Sequence, residues 1–588
     1  MKLTRISLAL LPLLGLCSVQ AAVYEVVKIG EVAEVKSTYA AAMNNAGDTV
    51  FNGAIKLQSQ DNFGNSFTNY QYFNFPINLD AIDFDNEAVQ ALFTDEQLAS
   101  VLNGNIDNDI LSILLGSNPG SQPTGSALNF LAKDELAAQN IVMRDFTQPS
   151  RTNSEYLYDI NNSGVAVGVA TAPFSYDSFT PAATEAIPEP VARNVWTPAL
   201  SYQLGTVVKD GQVSTLAAPY QELGGGYTVA KAISDTGIIA GFGSSGMTEA
   251  NKTVVAAECT GAATPQVTCF NNSAIAGRYE KRAMTWQLQA DGTAVFSQQF
   301  GFLGDKNTGT EFAGEGNNVV TYYSEANAVN NNGLVVGVSM YTDSDRIVRY
   351  QVGFSVFDAI YRQPHASIFV DGQVLPIVDP AEWFVLSRDA IGSAAVAVNN
   401  NDIIVGYARK TINSGIRSKM FYHDYSSGKT TFVDGFFASS TTVPRAINDN
   451  NQVVGQAEVI VGSTTSRRSH GFIYDITTDS FVDLNTQLSC NSPYNIVDAT
   501  DINDDGDIFA TAIVKQERRN LVGDVVLDAQ GNPLLEDVAI AVKLEAVANG
   551  QAENCVTEEN QYVRKGGSAG FVSLLLASML LLRRRRKA

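Results

Sequence analysis

Histidine is almost missing from this chain of 588 residues: His365, His423 and His470 are its three imidazoles. So few, so scattered, exclude a multi-histidine zinc or iron centre. His365 and His470 also stand at the same point of a repeat, which marks them as structural. Cysteine is nearly as rare, with five residues and no CxxC spacing. There is no G-x-S-x-G elbow of the kind that presents a nucleophilic serine. Basic residues are outnumbered 39 to 61, a net charge of −22. Setting aside the basic residues of the two ends (Lys2, Arg5, Arg583 to Arg586 and Lys587) leaves 32 against 61, a net of −29. Such a surface repels nucleic acid and anionic membranes and keeps an exported protein soluble. A hydrophobic content of 45% still provides for a large folded core. With 47 glycines against 18 prolines, many tight turns are expected.

The ends read as addresses. Residues 1–22 have the layout of a secretory signal peptide: Lys2 and Arg5, an apolar stretch from Ile6 to Leu16, then small residues for cleavage near Ala21 or Ala22. Leu16 is too bulky to make Cys17 a lipid-bearing cysteine. At the other end a glycine-rich start, Gly566 and Gly567, precedes an apolar run from Gly570 to Leu582 and then four arginines. As a helix that run reaches about 20 Å, short of a bilayer core of roughly 30 Å. The arginines would hold its end on the cytoplasmic side. This order resembles the GlyGly-CTERM sorting signal of Gram-negative bacteria. The resemblance implies cleavage near Gly566 and Gly567 by a rhomboid-type protease (rhombosortase). Release would follow through type II secretion to the cell surface or the medium. It covers only residues 566–588.

If Cys17 leaves with the leader, four cysteines remain, and an even count in an exported chain favours disulfides. The simplest pairing joins Cys259 to Cys269 across a short loop and Cys490 to Cys555.

The body repeats a turn motif seven times. Copies begin at Asn44, Asn161, Ser234, Asn330, Asn399, Asn448 and Asn503. The fourth position holds Gly47, Gly164, Gly237, Gly333, Asp402, Asn451 and Gly506. A type I turn favours Asn or Ser first, and closing a hairpin with it requires positive φ at the fourth residue. Gly, Asn and Asp are the residues that tolerate this. Runs such as Leu334, Val335, Val336, Gly337 then read as buried strands. A second hairpin is expected in most repeats, pairing Trp196 with Asp210-Gly211, Trp286 with Asp291-Gly292, Phe369 with Asp371-Gly372, Phe421 with Ser427-Gly428 and Tyr474 with Thr478-Asp479.

Two hairpins make four strands, and four-stranded repeats set radially make a β-propeller. The expectation is all-β, about seven blades, with a β-solenoid as the runner-up. Strand-like segments Val23 to Val35 and Val538 to Val547 are placed to share the closing blade. The predicted division is signal peptide 1–22, first blade region 23–87, helical insertion 88–145, propeller repeats 146–548, linker 549–565 and sorting tail 566–588. Within the insertion, Thr94 opens a capping box with Gln97. Ile106 to Leu115 and Leu128 to Met143 have helix-like apolar spacing. The repeat and the segments at His365 to Phe369 and His470 to Tyr474 resemble HAF-type extracellular repeats over most of residues 150–515. That family implies an exported propeller-like module and carries no catalytic residues over.

One segment has metal-loop spacing. Asp501, Asn503, Asp505 and Gly506 match the start of a calcium loop, with Asp507 beside them, yet Ala512 stands where a twelfth acidic ligand belongs. No other cofactor is expected. The functional expectation is a non-enzymatic binding module for a glycan, matrix component or surface protein. A secreted polysaccharide hydrolase or lyase is the rival, and a structural envelope component the third reading. Carboxylates grouped with Tyr, Arg or His in the central channel would favour the rival; small apolar residues alone would exclude it.

Overall fold

The computed structural model describes residues 23–553, apart from 61–65, 71–78, 80–81, 118–125, 134–136, 144–153, 184–187, 199–201, 262–263, 305–311, 314–318, 343–346, 353–354, 361–362, 384–391, 413–414, 461–465 and the single residues 55, 142, 321 and 381. The leader, Cys555 and the sorting tail lie outside the described residues.

Seven sheets form a β-propeller: six are four-stranded and antiparallel, and that of blade 4 adds to its four antiparallel strands a short fifth, Leu303–Gly304, parallel to Val335–Thr342. The inner strands of blades 1 to 7 are Ser37–Met43, Glu155–Ile160, Thr228–Ile233, Ser324–Val329, Ser393–Val398, Thr442–Ile447 and Asn495–Ile502. Each pairs with the strand that follows its turn, as Ser324–Val329 does with Val335–Thr342. The third strands bring the aromatic core: Trp286, Phe369, Phe421 and Phe472 are almost wholly buried between blades. Blade 7 is closed by the N-terminal strand Tyr24–Lys28, which pairs antiparallel with Leu535–Ala546. The ring is thus locked by joining the two ends of the described chain.

All seven turns have the expected backbone. The fourth residue has positive φ in every copy, from Gly164 at 71° to Gly506 at 87°, and at 59° and 61° for Asp402 and Asn451. The first residue works through its side chain as well: Asn44 Oδ1 accepts from the backbone N–H of Ala46 and Asp48, at 3.0 and 2.9 Å.

Two expectations are corrected. Leu128 to Met143 is not helical. Ala127–Ala132 and Gln139–Asn140 are the third and fourth strands of blade 1. The six residues of the first are all buried, and a short run buried on both faces has no periodicity that separates strand from helix. The helices of this insertion are α1 (Glu87–Gln90), α2 (Asp95–Leu102) and α3 (Asn108–Ser117). The Thr94–Gln97 capping box is formed on α2. The insertion therefore ends before residue 127 and sits within blade 1. Second, Trp196 belongs to a side hairpin, Phe174–Phe179 with Arg193–Pro198. The strand that leads into the Asp210-Gly211 turn is Gln203–Lys209. Trp196 has instead a local aromatic partner, Tyr176, at 5.1 Å.

The Cys259–Cys269 disulfide is present. It ties two helices, α4 (Glu249–Cys259) and α5 (Gln266–Ile275), inserted between the second and third strands of blade 3. Cys490 is disulfide-bonded; its expected partner, Cys555, is outside the described residues. In a meander, all first-to-second and third-to-fourth turns share one face, and all second-to-third links the other. The helices α1 to α5 and the side hairpins inside blades 1, 2 and 4 occur in second-to-third links. The hairpin Phe312–Ala313 with Val319–Val320 occurs in the link from blade 3 to blade 4, which in a meander lies on the same face, so that face carries the long insertions.

Candidate functional site

The site begins with a glycine. Residues Gly168, Gly241, Gly337, Gly406 and Gly455 end the strand run after the turn in blades 2 to 6. A Cβ on any of them would lie 1.9–2.2 Å from an inner-strand carbonyl, that of Tyr156, Val229, Glu325, Ala394 or Val443. Those carbonyls crowd in because each inner strand is bulged at this point, as between Leu157 and Asp159 and between Ala230 and Ala232. A bulge adds one residue and re-aims it. The residues so added are Tyr158, Lys231, Asn327, Val396 and Arg445, with Ala41 in blade 1 and Thr500 in blade 7. All seven are partly exposed although they sit on the innermost strands. They border the central channel.

Charged and aromatic groups gather along this wall. The Lys231 amine lies 4.0 Å from the centre of the Tyr158 ring. Tyr158 stacks on Tyr156 at 6.1 Å. Glu325 is paired with Lys281. Across the channel, Arg445 grips Asp498 with two bonds, Nη2 at 2.9 Å and Nε at 3.2 Å. Burial holds the Lys231 amine below its ordinary pKa against the pull of Glu325, and raises the Tyr158 phenol.

At the turn face the channel opens into a cavity of about 190 Å³. Its rim is a closed circle. The backbone N–H of each second turn residue donates to the side-chain oxygen of the second residue of the next turn: Asn45 to Asn162, Asn162 to Asp235, Asp235 to Asn331, Asn331 to Asn400, Asn400 to Asp449, Asp449 to Asp504 and Asp504 back to Asn45. All seven bonds are 2.7–3.0 Å. Five first-position asparagines reinforce it by donating to the next blade's turn carbonyl, as Asn330 does to Asn399 at 2.8 Å. The sequence signal for this ring was available: the second position is always Asn or Asp. A type I turn accepts most residues there, so the restriction needed a cause other than backbone conformation.

Two carboxylates stand just inside the rim, Asp159 and Asp501, where five other blades have Ala42, Ala232, Ala328, Ala397 and Ala446. Each bridges to the following blade: Asp159 accepts from Ile233 N–H and Asp501 from Met43 N–H, both at 2.8 Å. Both are surrounded by protein but keep a wetted side on the cavity. Burial, opposed by those backbone bonds, pushes Asp159 up to about 6 and Asp501 up to about 7. At these two sites the folded protein therefore binds more protons than the unfolded chain between pH ~4 and 7, and their contribution to stability falls as pH rises through that window. At about 1.4 kcal/mol per unit the effect reaches a few kcal/mol at neutral pH, less what cavity water screens. Replacing both by Ala is expected to flatten the slope of denaturant-measured stability between pH 4 and 8; an unchanged slope would refute the assignment.

The calcium spacing does not become a calcium site. Asp501 is spent on Met43 and Ile502 amides, and Asn503 Oδ1 accepts its own turn's Asp507 N–H at 2.8 Å. Asp507 turns to Ala546 N–H and Lys543. These oxygens diverge because the segment is the seventh copy of the blade turn. Among the described residues no group of three or more His, Cys, Asp or Glu side chains converges on a point where a metal could sit. The histidines are separate: His365 is near Ser393 Oγ at 3.3 Å, His423 near Thr430 Oγ1 at 2.9 Å and His470 near Asp483 at 2.7 Å.

Fold and site together define a seven-bladed β-propeller with a polar, bulge-lined channel whose opening at one face is encircled by a hydrogen-bonded ring of turn residues. The chain belongs to the family described as protein of unknown function DUF3466, which matches residues 1–585. No curated protein matches it. Among solved structures it is similar to the Porphyromonas gingivalis dipeptidyl peptidase 4 crystal structure, at 9% identity and a TM-score of 0.29, over 70% of this chain and 54% of that one. This chain thus spans about half the length of that structure.

Proposed function

We propose that the protein is an exported propeller that binds its ligand in the central channel and performs no chemistry on it. What supports this is the commitment of the channel carboxylates. Asp498 is bound to Arg445, Glu325 to Lys281, and Asp159 and Asp501 each to two backbone N–H groups. A general acid or base must be poised toward substrate, whereas the oxygens of these groups already have partners on the wall. Export rests on the leader, the tail resembling a GlyGly-CTERM signal, and an intrachain disulfide suited to an oxidising compartment. In this reading signal peptidase cuts near Ala21 or Ala22, a rhomboid-type protease near Gly566 and Gly567, and type II secretion delivers the product. The ligand is a glycan or a surface component.

The test is to incubate the mature protein with a polysaccharide panel and follow both retention and release of new sugar ends. Retention without release is expected; release overturns the reading. Mass spectrometry of the secreted form should find a C-terminus near Gly566, and an intact arginine tail would refute the sorting step. A hydrolase or lyase is the second reading, favoured by Asp159 and Asp501, whose protonation near neutral pH suits acid–base work. On that reading Asp501→Ala abolishes sugar-end release.

A further inference from the structure

Among the cations grouped on the channel wall, Lys231 differs from its neighbours. Arg445 is neutralised by Asp498, and Lys281 by Glu325. Lys231 makes no hydrogen bond and no ion pair with any described residue, and its amine lies over the Tyr158 ring. An ammonium group carries three donors, and holding it among protein atoms without an acceptor is costly. The ring face offsets only part of that cost. Glu325 is near enough to favour the charge, but its carboxylate is held by Lys281, whose own charge opposes it. The amine is therefore under-compensated, deep in the ring and still reached by solvent. The bulge and its glycine partner, Gly241, exist at this point in the strand and present this side chain.

We propose that Lys231 receives an oxyanion, the carboxylate or phosphate of a ligand that enters the channel, with the Tyr158 and Tyr156 rings beside it. The inference rests on the binding reading above and names the chemistry of its ligand. An oxyanion supplies the acceptors the amine lacks. The strongly acidic exterior repels extended polyanions. The preferred ligand is therefore one whose anionic end is short enough to lie within the channel, such as the acidic terminus of a sugar chain.

The experiment uses the whole mature protein. Lysine methyl groups are introduced by reductive methylation with carbon-13 and assigned with Lys231→Met. Inorganic phosphate, a glucuronate oligomer and a neutral glucose oligomer are then titrated in. The expected result is a shift of the Lys231 signal with phosphate or glucuronate and not with the neutral sugar. Binding of the responding anion, measured by calorimetry on unmodified protein, should weaken roughly tenfold or more in Lys231→Met. The melting temperature should not fall, because the substitution gives up the contact with the Tyr158 ring but relieves the larger cost of the unpaired amine. A carboxylate response with none to phosphate assigns the ligand to acidic sugars, and the converse to phosphate esters. A Lys231 signal unmoved by both anions overturns the proposal. So does equal anion binding by wild type and variant, which would leave the binding function standing. Release of sugar ends would instead sink the non-enzymatic reading and leave the Lys231 response to be judged by itself.

Discussion

Deletion of residues 23–28 is expected to convert a cooperative ring into an opened and largely unfolded chain. These residues supply the outermost strand of blade 7, with five register pairs from Tyr24 opposite Ala546 to Lys28 opposite Val542. Val23 and Tyr24 N–H also donate to Gln487 O, and Val547 N–H to Val23 O. At about 1 kcal/mol net for each hydrogen bond, and about 2 kcal/mol for burying Tyr24, the loss is at least ~5 kcal/mol. That rivals the whole stability of a typical folded protein, about 5–15 kcal/mol. The removed strand would leave Leu535–Ala546 as a bare edge, which invites aggregation. Circular dichroism melting and sedimentation should show loss of the cooperative transition. A deletion variant that melts within a few degrees of wild type would show that the closure is decorative.

Replacing Gly337 by Ala should cost more than about 3 kcal/mol, a large effect for one added methyl. Its Cβ would stand 2.1 Å from Glu325 O, 2.9 Å from Asn327 N and 3.0 Å from Ala326 Cα. All three are backbone of the bulge and cannot rotate away. The inner strand has to straighten, taking Asn327 and its bond to Ala395 O out of place. Gly506 offers the contrast. Nothing lies within 4 Å of its added Cβ, and its φ of 87° is the obstacle. Gly506→Ala should therefore cost only about 1–2 kcal/mol. Urea denaturation of both variants separates the mechanisms, and equal losses would contradict the bulge account. Blades 1 and 7 hold Phe51 and Ala510 at the position of Gly337, so the glycine requirement is a property of blades 2 to 6.

The repeat was legible because its turns obey a local rule: positive φ at Gly47, Asp402 or Asn451 depends on that residue alone. Blade number followed from the turns, and closure from the strand-like ends. Leu128 to Met143 misled because a doubly buried strand loses its alternation, and only its pairing with Thr49–Ala54 identifies it. Helices α4 and α5 went unread for a different reason. Their apolar faces pack on Tyr227, Met247 and Tyr279, a partnership that forms only once blade 3 exists. The channel residues were hidden by the bulges. An extra residue shifts the alternation of the inner strand, so Lys231 and Arg445 fall out of phase with any two-residue pattern. Their position is fixed by the glycine across the ladder, which the sequence displays without saying what it faces.

The turn-face circle has a direction. Every amide donates forward, to the blade ahead, and the last returns to the first. A linear stack of repeats frays from its two ends, where one neighbour is lacking. Here no blade is terminal at that face, so opening any one of them breaks a bond received and a bond given. Amide hydrogens of Asn45, Asn162, Asp235, Asn331, Asn400, Asp449 and Asp504 should thus exchange together, through one concerted opening rather than in order of distance from the chain ends.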